Sequence, residues 1–255
     1  MSLDYRTVVG RALASGLAAG VALSLYLLAV VEPVLDQAID LETAHVSATS
    51  EDAATHTSEK PRFTRDQQVA GGMAATCLYG VLAGLILGTV YAAVRHRLSG
   101  GSEARRVLTL AAVAFASTAL VPALKYPANP PGVGDPDTVQ DRSLLYLVLL
   151  ASSVAAAVAL FRLSGRLRVG GWSDTARLIA LTLAALVVYG LLFLVLPGAG
   201  SHVDSAVPAE LLWRFRIRSL GGLALLWTVL GLGLGWALER VVGSSDRHER
   251  AWSAP

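Results

Sequence analysis

Cysteine and charged residues are both scarce in this sequence. The 255 residues include one cysteine, Cys77, so the chain has no intramolecular disulfide and no cysteine-based metal site. Only 16% of the residues are charged and 54% are hydrophobic, whereas soluble globular proteins carry about 25% charged residues. A soluble fold of this size could not bury so much apolar surface. The composition therefore predicts a membrane protein, which lipid tails solvate from outside.

The signatures of common enzymes are also missing. The chain contains no Walker phosphate-binding loop, no G-x-S-x-G nucleophile elbow and no H-E-x-x-H zinc-protease helix. Its basic residues lie in short clusters between apolar runs and form no stripe of the kind that nucleic-acid grooves need. We therefore predict that the protein is not an enzyme, binds no nucleic acid and carries no resident cofactor.

Six apolar runs are long enough to cross a lipid bilayer. A hydrocarbon core of about 30 Å requires about 20 helical residues at 1.5 Å per residue. None of the six runs contains a charged residue, and each is apolar all round, as lipid-embedded helices are. The predicted spans are about 12–31, 69–94, 107–124, 144–161, 178–196 and 220–238.

These runs predict the fold class and the location of the protein. We expect an all-α, polytopic bundle of about six transmembrane helices, multi-pass in the cell membrane. Residues 1–255 would form a single integral membrane domain with a polar outer loop at 32–68. The first run follows Arg6 and Arg11 as in a signal peptide, but it has spanning length and no cleavage site, so we expect it to be retained.

Arginine clusters predict the orientation of the bundle. The connections between the second and third spans and between the fourth and fifth spans are rich in arginine, and such connections lie on the cytoplasmic side. Both termini are then cytoplasmic, and most acidic residues fall on the outer face. The arginines of these two connections are Arg95, Arg97, Arg105, Arg106, Arg162, Arg166, Arg168 and Arg177.

Glycines at four-residue spacing predict close helix packing. Such glycines form a groove that lets two backbones approach, and close packing drives the association of helices in lipid. Transmembrane helices are rich in glycine in any case, so the motif alone does not identify the partner helix. The glycines concerned are Gly16 and Gly20 in the first span, Gly80, Gly84 and Gly88 in the second, and Gly231 and Gly235 in the sixth.

Carboxylates and imidazoles on the predicted outer face are candidate ligands for a divalent metal ion. Imidazole suits first-row transition ions such as Co²⁺, and carboxylates can complete the coordination shell. His202-x-Asp204 is the tightest pair, but no spacing typical of metal sites is present, and the same residues fit a solvated loop. The candidates are Glu32, His45, His56, Asp137, His202, Asp204 and Glu210.

Prolines mark the outer ends of the odd-numbered spans and fill the second outer loop. Pro33, Pro122 and Pro197 each lie at the end of an odd-numbered span, which is a weak sign of three repeated helical hairpins. Proline fixes φ, so the loop at 125–137 is predicted to be rigid. It could act as a lid, as a docking surface or as a stiff connector. The residues expected to shape it are Pro122, Pro127, Pro130, Pro131 and Gly132.

This loop and its flanks resemble the CbtA family of probable cobalt transporter subunits. The similar segments are Leu120-Val121-Pro122-Ala123-Leu124-Lys125-Tyr126-Pro127, Asn129-Pro130-Pro131-Gly132, Asp141-Arg142 with Leu144-Leu145-Tyr146, Val207-Pro208-Ala209-Glu210-Leu211 with Phe215, and Glu32-Pro33 at the end of a Gly/Ala-rich first helix. The resemblance runs over most of the chain, and its specific part is the proline-rich loop.

The resemblance implies a membrane subunit of a cobalt uptake system linked to cobalamin synthesis. It also implies a small partner of the CbtB type, with one helix and a histidine-bearing terminus. We therefore expect a permease-like subunit whose outer carboxylates and imidazoles gather Co²⁺. Glu32 is the first candidate ligand, and Co²⁺ would be the transported ion and not a resident cofactor. The alternative is a non-transporting membrane scaffold that docks a partner through the proline-rich loop.

Overall fold

The computed structural model of the chain is mainly helical and has no strand in the part that it describes. It describes residues 3–49, 64–98, 100–130, 133, 138–198 and 207–252, with the backbone alone at 41–49, 66 and 245–252. The α-helices are α1 (Tyr5–Tyr26), α2 (Glu32–Thr49), α3 (Arg65–Val94), α4 (Glu103–Phe115), α5 (Val121–Lys125), α6 (Val139–Val169), α7 (Asp174–Val195) and α8 (Ala209–Trp252).

Six of the helical stretches are long and apolar enough to cross a membrane, which confirms the predicted number of spans. They are Tyr5–Asp40, Gln67–Arg97, Glu103–Lys125, Val139–Val169, Asp174–Val195 and Ala209–Ser244. Leucine, isoleucine and valine side chains are widely exposed on these helices. In a bilayer this apolar surface is solvated by lipid tails, so the exposure carries no penalty.

The first span differs from its prediction because the helix continues beyond Val31. A π-helical segment, Leu27–Val31, joins α1 directly to α2, and α2 carries Pro33 near its start. Proline removes one backbone donor and clashes with the preceding turn of an α-helix. A π-helical turn widens the helix locally, and here it precedes the proline. Residues 32–49 of the predicted outer loop are therefore helical.

The third span repeats this arrangement. A π-helical segment, Ala116–Leu120, joins α4 to α5, and Pro122 follows it at the same distance as Pro33 follows the first segment. The fifth span differs, because α7 ends at Val195 and Leu196 is extended before Pro197. Pro33 and Pro122 thus each follow a π-helical segment in a helix that continues, whereas the helix before Pro197 stops.

The described residues form two compact units. Unit 1 takes residues from 1–112 and 213–255, and unit 2 takes residues from 113–129 and 133–212. In unit 1, α1 packs along α3, and α8 contacts both α1 and α4. In unit 2, α6 packs against α7 and against the π-helical segment of the third span.

Candidate functional site

Glu32 is the best-defined of the candidate ligands. It is the first residue of α2, and Asp36 lies four residues later on the same face of that helix. Arg65, the first residue of α3, donates from Nη2 to Glu32 Oε1 and to Asp36 Oδ1, the latter at 3.0 Å. The side chains of Glu32, Asp36 and Arg65 are 28%, 57% and 45% exposed. A guanidinium thus bridges two carboxylates that remain open to solvent, and we call these three residues the Glu32 cluster.

Arg218 supports the helix just before this cluster. Its Nη1 donates to the carbonyl oxygen of Val30 at 2.8 Å, across from α8 to the first π-helical segment. One turn earlier the same two helices are close, since a Cβ placed on Gly221 would lie 2.8 Å from the Tyr26 hydroxyl oxygen. Arg218 therefore holds α8 to the first π-helical segment, two residues before Glu32.

The glycines of α1 and α3 form a continuous seam between the two backbones. A Cβ on Gly20 would lie 2.8 Å from Cys77 Cα, and one on Gly80 would lie 2.6 Å from the backbone nitrogen of Gly20. A Cβ on Gly84 would lie 3.0 Å from Gly16 Cα. Real Cβ atoms do not approach backbone this closely, so only glycine fits along this seam.

Hydroxyl groups pair across the same seam. Ser24 Oγ lies 2.5 Å from Thr76 Oγ1, close enough to donate its proton to it. Thr76 in turn donates to the carbonyl of Gly72. These hydroxyls satisfy one another in the span, where a polar group without a partner would be costly. The seam is a tight and internally satisfied contact.

The other two candidate packing glycines lie between α8 and α4. A Cβ on Gly231 would lie 3.0 Å from Ala111 Cβ, and one on Gly235 would lie 3.0 Å from Ala104 Cα. Close to Gly235, Glu239 Oε1 accepts a hydrogen bond of 3.4 Å from the backbone N–H of Ala104, which lies in the first turn of α4. A carboxylate there suits the positive end of the helix dipole.

The remaining metal candidates are less well placed. Glu210 is exposed in the first turn of α8, and His45 lies in α2, where only the backbone is described. His56, Asp137, His202 and Asp204 lie outside the described residues. Within the part of the chain that the structure describes, no three His, Cys, Asp or Glu side chains form a group that could hold a metal ion.

The described part of the proline-rich loop is anchored at its start. Pro122 is buried in α5, Pro130 is fully buried and Pro127 is partly exposed; Pro131 and Gly132 lie outside the described residues. Tyr126 is buried, and its hydroxyl donates to the carbonyl of Pro197 at 2.7 Å. Burial raises the pKa of the Tyr126 phenol, so the hydroxyl stays protonated and remains a donor.

Lys125 makes a contact with α7 that the sequence did not indicate. Its Nζ donates to the carbonyl of Phe193 at 2.8 Å and lies 5.5 Å from the centre of the Phe193 ring. Pro197 holds Leu196 extended and cannot itself donate, so Phe193 loses its partner four residues on. The ammonium group supplies the missing donor and complements the negative end of the helix dipole.

Replacing Lys125 with methionine is expected to lower the free energy of unfolding by about 1.5 kcal/mol, the size of a charge-assisted hydrogen bond. Pro197→Ala restores a backbone N–H and lets α7 extend, so the carbonyl of Phe193 gains another donor. In that background Lys125→Met should cost less, with a coupling energy of about 1 kcal/mol. The four proteins of this cycle are compared by unfolding in detergent. Strictly additive losses would contradict the proposed role of Lys125.

Comparison with known proteins gives one match. A family model described as "Probable cobalt transporter subunit (CbtA)" matches residues 5–239. That range contains the Glu32 cluster, the glycine seam and the contact of Lys125 with α7. No curated protein and no solved structure gave a match.

Proposed function

The chain belongs to the CbtA family of probable cobalt transporter subunits, and from this premise we propose that it is the permease-like subunit of a Co²⁺ uptake system. The system would lie in the cell membrane and supply cobalt for cobalamin synthesis. Its partner would be a small CbtB-type subunit with one helix and a histidine-bearing terminus.

The Glu32 cluster carries this proposal. Glu32 and Asp36 present two carboxylates just after the apolar run 12–31, and Arg65 already provides the positive charge that such a pair attracts. The contact is largely exposed, and exposed ion pairs contribute only about 0–1 kcal/mol. A divalent cation could therefore displace the Arg65 guanidinium at a low cost in free energy. The ion would then have both carboxylates as ligands.

The glycine seam limits where the ion can travel. Backbone atoms of α1 and α3 approach too closely to admit even a Cβ, so an ion with oxygen ligands cannot pass between them in this conformation. We place the path beside this pair of helices, which serves as a rigid wall. No Asp, Glu or His lies in the apolar interiors of the six predicted spans. Imidazoles from the partner would then supply ligands deeper in the membrane.

Cobalt accumulation in cells tests the function directly. Cells that express the chain together with the small histidine-bearing protein should accumulate more Co²⁺ at limiting external cobalt than cells with either protein alone. Membrane insertion of the chain is verified in parallel by fractionation. Unchanged accumulation with both proteins present in the membrane would exclude the uptake function.

The scaffold alternative has one structural argument in its favour. Lys125 and Tyr126 hold the start of the proline-rich loop against the end of α7, which gives a docking surface a fixed base. Glu32→Ala separates the two functions, because it should reduce ion flux in a permease while partner pull-down stays intact. If the protein were only a scaffold, the variant would change neither ion flux nor pull-down.

A further inference from the structure

The end of unit 1 at which α1 begins presents two arginines beside an exposed tryptophan. Arg11 and Arg240 are both exposed, Trp236 is 57% exposed and Leu232 is 54% exposed. Leu232, Trp236 and Arg240 follow one another at four-residue intervals in α8, so their side chains share one face of that helix. We call Arg11, Arg240, Trp236 and Leu232 the Arg240 site.

Three contacts show how α1 lies along α8. They are the hydrogen bond from Arg218 to Val30 and the close approaches of Gly222 to Tyr26 and of Gly233 to Ser15. Equal numbers of residues separate these pairs on the two helices, so the helices are antiparallel and keep one register. Arg11 precedes Ser15 by one turn on the same face of α1, and this register places it opposite Ala237. Arg11 is therefore only about 4.5 Å from the level of Arg240 along the helix axis.

The lengths of the uncharged runs indicate the depth of these groups. Residues 12–31 and 219–238 are both free of charge, and each run rises about 29 Å, close to a hydrocarbon core of about 30 Å. Arg11 and Arg240 lie about 1.5 Å and 3 Å beyond these runs, at the headgroup layer. Trp236 and Leu232 lie about 6 Å and 12 Å from Arg240 toward the membrane interior. The guanidinium, the indole and the leucine thus follow the order of phosphate, glycerol and acyl chain in a phospholipid.

Trp236 holds the Arg240 side chain by its flat face. Arg240 Cζ lies 3.9 Å from the centre of the Trp236 ring, which is a cation–π contact. Stacking occupies the face of the guanidinium, whereas its N–H donors point outward in its plane and suit bidentate binding of a phosphate. Within the described residues, no hydrogen bond or ion pair is found for the side chains of Arg11 and Arg240.

The described carboxylates at this end of unit 1 have other partners. Those nearest to the two arginines in sequence are bonded to backbone N–H groups at the first turns of α4 and α1, and a third is bonded to side chains. The pairs are Glu239 with the N–H of Ala104, Asp4 with the N–H of Thr7, and Glu103 with Arg106 and Tyr91. Arg11 and Arg240 therefore keep positive charge beside exposed apolar surface.

We propose that the Arg240 site binds an anionic phospholipid. Its phosphate contacts Arg240 and Arg11, its glycerol region lies at Trp236, and its acyl chain lies along Leu232. Positive charge favours an anionic over a zwitterionic headgroup, and the apolar face that leads into the membrane favours a lipid over a free phosphate. The lipid would bridge α1 and α8, and its binding does not depend on cobalt transport.

Native mass spectrometry of the full chain tests this site. The chain is equilibrated in detergent with equal amounts of phosphatidylglycerol and phosphatidylcholine, and retention of the two lipids is compared. Each arginine at an anionic surface contributes roughly fivefold in affinity, so Arg11→Gln/Arg240→Gln should lower the preference for phosphatidylglycerol roughly 25-fold. Arg11→Lys/Arg240→Lys keeps both charges and should retain most of the preference. A loss in the lysine variant as large as in the glutamine variant would contradict recognition by charge.

Trp236→Leu tests the stacked ring separately from the charges. The leucine keeps apolar contact with the lipid but cannot hold the guanidinium by its face. The preference for phosphatidylglycerol should therefore fall roughly two- to fivefold, the size of a cation–π contact. An unchanged preference in this variant would contradict the place assigned to the indole.

The matched control removes two exposed arginines from α6, in unit 2. Arg162→Gln/Arg166→Gln deletes the same charge, but the exposed side chain one turn from Arg162 toward the apolar run is Val158, which offers no ring for stacking. This control should change the lipid preference much less. An unchanged preference in the Arg11/Arg240 glutamine variant, or an equal loss in the control, would overturn the proposed site. Displacement of the retained lipid by glycerol 3-phosphate, which has the phosphate but no acyl chain, would overturn it as well.

Discussion

Replacing Gly80 with alanine is expected to destabilise the protein by about 3 kcal/mol and to separate α1 from α3. The added Cβ would lie 2.6 Å from the backbone nitrogen and Cα of Gly20, and backbone atoms cannot rotate away as side chains can. Overpacking usually costs about 1–3 kcal/mol, and a clash with backbone belongs at the upper end of that range. Moving the helices apart would also weaken the contact of Gly84 with Gly16.

Cys77 makes the separation measurable without any introduced label. It is the single cysteine of the chain, lies beside Gly20 and has its Sγ 3.7 Å from Ser24 Oγ. Gly80→Ala should speed the reaction of this thiol with a maleimide in detergent and lower the unfolding temperature. Gly72→Ala, in the same helix, is the matched control, because its Cβ would have nothing within 4 Å. If both variants behaved alike, the seam would not be the close contact described.

Hydropathy was sufficient to predict the six spans because a lipid-embedded helix must be apolar over its whole length. A hydrophobic run such as 144–161 has no competing explanation in a soluble fold. The ends of the helices were less predictable. Proline normally stops a helix, so the first span was expected to end before Pro33, but a π-helical turn lets the helix continue into α2.

Contacts between distant polar groups could not be predicted from the sequence. Lys125 and Phe193 are 68 residues apart, and Arg218 and Val30 are 188 apart, so nothing local pairs them. One signal was nevertheless present. A proline after a helix leaves a carbonyl four residues earlier without its usual donor, and a cation near another helix end on the same predicted face is a candidate replacement. For Arg65, its position at the start of a helix did not reveal its two carboxylate partners.

Glu32→Gln is expected to reduce the initial rate of Co²⁺ uptake about tenfold at limiting cobalt. The change keeps the size of the side chain but removes the charge, and a loss of about 1.4 kcal/mol in ion binding gives this factor. Asp36→Asn should have a smaller effect, because Asp36 is twice as exposed as Glu32 and is better screened by water. Asp174→Asn also breaks an arginine–carboxylate pair, but in another turn, so it should leave uptake unchanged.

Arg65→Gln provides the decisive comparison, because its expected effect has the opposite sign. Removing the guanidinium frees Glu32 and Asp36 from an internal competitor, so the apparent KM for Co²⁺ should fall several-fold. If the contact were only a structural ion pair, Glu32→Gln and Arg65→Gln would break the same interaction and would weaken uptake alike. If instead Arg65 occupies the site that the ion enters, the two variants must move KM in opposite directions. Measurement of KM in both, with protein levels in the membrane matched, therefore distinguishes an ion-entry site from a structural bond between α2 and α3.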